Sequence, residues 1–79
     1  MIGSGFLLTE KQRKILALVA EGWNDERIAR FLNISPYTVR NTMVVIKHKL
    51  ASRNRTHSVM IALRRQEIFI DGIGGESRQ

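Results

Sequence analysis

Apolar residues recur along the chain at intervals of three and four, in four separate blocks. Ile15, Leu18 and Val19 form the first stripe, with Leu16 at its flank. Ile28, Ala29 and Leu32 form the second, Val39, Met43, Ile46 and Leu50 the third, and Val59, Ala62 and Leu63 the fourth. That spacing is the one-sided repeat of an amphipathic helix, and no alternating stretch is long enough for a strand. Start and stop signals set the limits. Thr9 and Gln12 have the spacing of a capping box, and Gly22 sits where a left-handed residue would end the first helix. Asn24 precedes Asp25 and Glu26, a cap followed by acids in the first turn, where the helix dipole favours negative charge. Ser35-Pro36 reads as a cap with proline at the first helical position, where its missing N–H costs nothing. Thr56 is read as the cap of the fourth helix, after an unpatterned loop from Ala51 to Arg55. The pattern therefore predicts an all-α domain with helices over about 10–21, 25–32, 36–50 and 57–67.

The flanks lack this order. Residues 1–7, MIGSGFL, predict a flexible lead-in with Phe6 and Leu7 as its anchors, and the glycine-containing stretch 69–79 predicts a disordered tail. The helical domain is expected over 8–68, one core being all that 79 residues can bury.

The second and third helices are joined by only a few residues, and the third is longer and more basic. Two helices so joined match the helix-turn-helix arrangement, in which the second lies in the DNA major groove and the first braces it. Stepping about 100° per residue separates the faces of the third helix. Val39, Met43, Ile46 and Leu50 face the core. The opposite arc carries Tyr37, Arg40, Asn41, Val44 and His48, bordered by Lys47 on one side and Thr38 and Lys49 on the other; Val45 lies off both arcs. Arg40 can present a bidentate fork to guanine or grip a phosphate, Asn41 can pair with adenine, and Val44 can pack on a thymine methyl. These three are the base-edge candidates. Ser35, Thr38, Lys47, Lys49, Arg53 and Arg55, near the helix ends or in the next loop, are backbone-contact candidates. Tyr37 joins them, with a role in covering the edge of the core as its alternative; His48 could do the same or face solvent.

Charge changes the weight of that reading. Lys and Arg total 13 against 7 Asp and Glu, a formal charge of +6. Such a surplus suits any polyanion, including nucleic acid, an anionic membrane surface or an acidic protein. Its distribution is more selective, because no Asp or Glu occurs between Glu26 and Glu67. A phosphate-facing surface needs that freedom from carboxylates. The chain has no cysteine, so neither a disulfide nor a thiolate metal site is available, and His48 and His57 are its only imidazoles. No metal and no cofactor is expected. Paired carboxylates, a nucleophile with its base and a phosphate-cradling glycine loop are all missing, which argues against an enzyme. No apolar run approaches the roughly 20 residues of a membrane span, so no membrane partner is expected.

These residues bear a family likeness. Leu8-Thr9, Lys11, Gly22, Ile28-Ala29, Leu32, Ile34-Ser35, Thr38-Val39-Arg40, Ile46, Lys49-Leu50, Arg55 and Val59 stand at ungapped spacing over about 8–68. In this the chain resembles the LuxR-type (GerE-like) helix-turn-helix family of bacterial transcription regulators. The resemblance implies a four-helix domain whose third helix enters the major groove and whose fourth pairs two copies on a two-fold site. It implies base-facing positions for Arg40, Asn41 and Val44, and backbone contacts for Ser35, Thr38, Lys49 and Arg55. The chain departs from the family where Gln12, Lys14 and Arg27 replace usual glutamates, Thr42 a frequent histidine, Val45 a common asparagine and Gln66 a common glycine. Trp23 stands where small or polar residues are frequent. It is expected to stack on the lead-in, with a DNA or partner contact as the alternative.

On the fourth helix, Met60 and Ile61 are expected to point away from the core with His57 and Arg64 nearby. These four are the candidate homodimer surface, scattered surface apolars being the alternative. The expected partner is double-stranded DNA, with RNA polymerase or a larger homologous regulator as further possibilities. A protein-interaction module on the same fold is the competing function. The expected location is cytoplasmic, on the nucleoid. The starting Met and short lead-in lean towards a standalone regulator over an excised C-terminal domain.

Overall fold

The computed structural model describes residues 5–70, so the expectations for residues 1–4 and 71–79 lie outside the described residues. Four helices make up the fold: α1 (Glu10–Ala20), α2 (Asp25–Leu32), α3 (Pro36–Leu50) and α4 (Arg55–Arg64). Each begins at a side-chain cap. Thr9 and Gln12 form the complete capping box of α1, while Asn24, Ser35 and Asn54 accept from the N–H three residues on in α2, α3 and α4. The fourth helix thus starts at Arg55 under Asn54, two residues before the expected position. Asn54 outcompetes Thr56 because its Oδ1 accepts from the His57 N–H at 2.8 Å while Ser58 Oγ bonds the Asn54 carbonyl.

Every helix also ends in the same way. Gly22, Asn33, Ala51 and Gln66 all have positive φ. At each, two N–H groups fold back onto the last turn, as when Gly22 donates to the Val19 carbonyl and Trp23 to that of Leu18. This is the Schellman closure, which satisfies carbonyls that the helix leaves without partners. Gln66 stops α4 at Arg64, three residues before the expected end, since a left-handed residue cannot continue a right-handed helix.

The core is built from Leu8, Ile15, Leu16, Ile28, Ala29, Val39, Met43, Ile46, Leu50, Ala62 and Ile68. α1 packs on all three other helices, so its buried arc is wide. That is why Leu16, expected at the flank, is fully buried, while Leu18 and Val19 are only half-buried. α4 also differs from expectation. Ser58, with its hydroxyl bonded to Ser52 Oγ and the Asn54 carbonyl, takes the core position beside Ala62. Ile61 does not point away, because it is half-buried and packs against the core. Among the described residues no helix is long and apolar enough to cross a membrane.

The chain entering α1 is tied to the chain leaving α4. Leu7 and Leu8 N–H groups donate to the two carboxylate oxygens of Glu67, each at 3.0 Å, and Arg65 Nε donates to the same carboxylate. Arg13 lies over the Phe6 ring at 3.8 Å and donates to the Leu8 carbonyl. Burial alone would push the Glu67 carboxyl up, but the two backbone donors and Arg65 outweigh it and hold the group below its ordinary value.

Candidate nucleic-acid interface

α3 presents its polar arc to solvent because its apolar arc is fully used. Val39, Met43, Ile46 and Leu50 are buried, which leaves Tyr37, Arg40, Asn41, Val44 and His48 exposed on the far side. Val44 is 51% exposed, a β-branched side chain standing free between Arg40 and His48. At the start of the helix, Ser35 Oγ accepts from the Thr38 N–H at 3.0 Å and shares a 2.9 Å hydrogen bond with Thr38 Oγ1. The two hydroxyls are thereby fixed at the N-terminal end of the exposed arc.

The basic side chains fall into two groups on either side of that arc. Lys47, Arg53 and Arg55 line one shallow concavity with Asn54, Thr56 and His57, where the turn after α3 meets the first turn of α4. Arg55 is held there by Asp25, whose carboxylate accepts from its guanidinium at 2.6 Å and so joins α2 to α4. Four further N–H donors of the guanidinium stay available. His57 belongs structurally to this turn, its Nδ1 accepting from the Arg53 N–H at 3.1 Å. Lys49 lies apart, reaching back to α1, where its Nζ donates to Gln12 Oε1 at 2.9 Å.

The arrangement is a protruding helix with apolar and hydrogen-bonding tips, flanked by cations and free of carboxylates along its length. The sequence profile of the bacterial regulatory proteins of the luxR family matches residues 7–62. The chain belongs to that family. It is 40% identical over 52 residues to the transcriptional regulatory protein DesR of Bacillus subtilis (strain 168), covering 66% of this chain and 26% of that protein. Transcriptional regulatory protein YdfI of the same organism is 36% identical over 64 residues, covering 81% of this chain and 30% of that protein. The chain therefore spans about a quarter to a third of the length of these curated relatives. The solved structure of transcription factor GerE superposes with a TM-score of 0.81 at 32% identity, over 84% of this chain and 98% of that one.

Within this luxR-family domain, three features escape a reading of the sequence alone. Val45 is 43% exposed and lines a groove with Thr38, Asn41 and Thr42 of α3, Lys11 and Gln12 of α1, and the α1 cap residue Thr9. Its place depends on where α1 lies, which a helical wheel of α3 does not contain. The Asp25–Arg55 ion pair spans two helices, and the nearest sequence signal was only an acid in the first turn of α2. Trp23 does not stack on the described part of the lead-in: it meets Phe31 edge-on, ring centroids 5.2 Å apart, and lies under the Arg27 guanidinium at 3.8 Å. Arg27, one of the departures from the family pattern, thus serves as a lid on Trp23. Among the described residues, no group of three or more His, Cys, Asp or Glu side chains is placed to hold a metal ion.

Proposed function

We propose that this domain binds double-stranded DNA sequence-specifically as part of a transcription regulator, with α3 in the major groove. The observation that carries the reading is the exposed face of α3, where Arg40, Asn41 and Val44 protrude together beside cations and without a carboxylate. Arg40 and Asn41 supply bidentate hydrogen bonding to base edges, and Val44 an apolar contact for a thymine methyl. Ser35, Tyr37, Thr38, Lys47, Lys49, Arg53 and Arg55 hold the sugar-phosphate backbone and set the register. A second copy pairs through α4, where Met60 is 50% exposed with Arg64 exposed one turn on and His57 one turn before. Ile61 adds only its uncovered edge to that surface. No catalytic step belongs to this reading, and its setting is the cytoplasm, on the nucleoid. RNA polymerase or a larger homologous regulator is a further partner in this reading.

Selection of bound sequences from randomised duplexes tests the proposal. A recovered two-fold motif, lost in the Asn41→Ala protein while non-specific binding persists, is the expected result; enrichment of no sequence would leave the protein-interaction reading in its place.

A further inference from the structure

We propose that Gln12 is a positioning residue that holds the Lys49 ammonium at the edge of the DNA-facing surface without neutralising it. α1 then takes part in gripping the backbone beside the reading helix. This rests on the DNA-binding reading above and names a residue that reading did not use.

Gln12 sits at the third position of α1, and its Oε1 accepts two hydrogen bonds, from the Thr9 N–H and from Lys49 Nζ, both at 2.9 Å. An amide oxygen offers a dipole and no net charge. Lys49 therefore keeps its full positive charge and two of its three N–H donors. The ion pairs formed among the described residues are Arg55–Asp25 and Arg65–Glu67, and neither involves Lys49. A glutamate at position 12 would cap α1 equally well, since Glu and Gln are both suited to the third position of a capping box. It would also bring a carboxylate to the ammonium. The choice of amide over carboxylate leaves the cap intact and changes only the charge presented at the surface.

The position of Lys49 makes that charge useful. Thr38, Thr42, Val45 and Lys49 follow one another at helical spacing along the side of α3 facing the start of α1. The first three line the groove shared with Thr9, Lys11 and Gln12, and the base-edge candidate Asn41 belongs to the same α3 wall. Lys11 and Lys49 are both exposed, one on each helix, and Thr9, Thr38 and Thr42 line the groove beside Lys11. A phosphate strand running past this side of α3 would meet two cations and hydroxyl donors. Because Gln12 already restricts the flexible lysine stem, less rotamer freedom is lost when it engages a phosphate.

The test compares the wild-type protein, Gln12→Glu, Lys49→Ala and the double variant. Affinity for a mixed-sequence double-stranded oligonucleotide is measured across a salt series, beside thermal unfolding of each protein. Gln12→Glu is expected to melt at the same or a higher temperature, yet to bind on the order of tenfold more weakly at low salt, with a log-affinity against log-salt slope shallower by about 0.9. Lys49→Ala should show the same loss, and adding Gln12→Glu to it should add little. A merely structural Gln12 would move stability and leave the salt slope alone. Unchanged affinity and slope in Gln12→Glu, with steep salt dependence in the wild type, would overturn the role of Gln12 and leave DNA binding standing. A further full loss in the Lys49→Ala background would overturn it too, since the new carboxylate would then act by general repulsion. A flat salt dependence of the wild type would remove both readings.

Discussion

Two neighbouring residues at the end of α4 show how closely this small domain depends on single side chains. Gln66 has φ +61°, a conformation that glycine adopts freely and a residue with a Cβ does not. Gln66→Gly should therefore raise the unfolding free energy by about 1 kcal/mol, read as a higher midpoint in urea with an unchanged slope. An unchanged or lower midpoint would mean that the glutamine side chain compensates for its backbone. Next to it, Glu67 is only 4% exposed and its carboxylate accepts from Leu7, Leu8 and Arg65. Its folded-state pKa is depressed below the ordinary value of 4.5. The stability it contributes is therefore present above that value and disappears as pH falls through the lower, folded one. Glu67→Gln should lose stability at neutral pH, because one of the two carboxylate acceptors becomes an amide donor. Its unfolding free energy should also vary less with pH in the acid range than that of the wild type. Parallel acid limbs for the two proteins would show that other carboxylates govern acid unfolding.

At the level of the helices, what the sequence made legible depended on whether one signal or two competed at each end. α1, α2 and α3 begin at single, unrivalled caps, and the expected starts agree with those observed. α4 has two cap-type residues, Asn54 and Thr56, and the choice between them is made by a hydrogen-bonded turn in which Ser52, Asn54, His57 and Ser58 all take part. Asn54→Ala should accordingly cost about 1 kcal/mol of stability, measurable by chemical denaturation, and Thr56→Ala much less. The reverse order would restore Thr56 as the operative cap. The exposed arc of α3 was readable because its apolar arc is narrow and regular. Val45, Ile61 and Trp23 were not, since the first depends on the start of α1, the second on how α4 lies across the core, and the third on Arg27 and Phe31, one and two turns on in α2. Helical periodicity identifies which face is apolar; how wide that face must be is set by the number of neighbours the helix meets.

For the molecule as a whole, the proposed function requires one short helix to become a selective binder. With α3 in the major groove as proposed, a single helix would touch few base pairs, and two copies related by a two-fold axis would double the contacts while fixing their separation at about one DNA turn, roughly 34 Å. The surface proposed for this pairing lies on α4, away from the buried Ser58 and Ala62, with Met60 as its most exposed apolar member. Its disruption has to be tested where the fold does not depend on the residue. Ile61→Glu would place a carboxylate against the core and confuse unfolding with dissociation, because Ile61 packs on the buried cluster. Met60→Glu avoids this, since half of that side chain already faces solvent. The expected outcome is a protein with wild-type helical content whose mass on a two-fold duplex, by sedimentation, falls from two copies to one. Its affinity for an isolated half-site should be little changed, while that for the paired site should drop by the coupling energy between copies. Two Met60→Glu copies still assembling on the paired site with undiminished affinity would remove α4 as the pairing surface and leave each domain to bind alone.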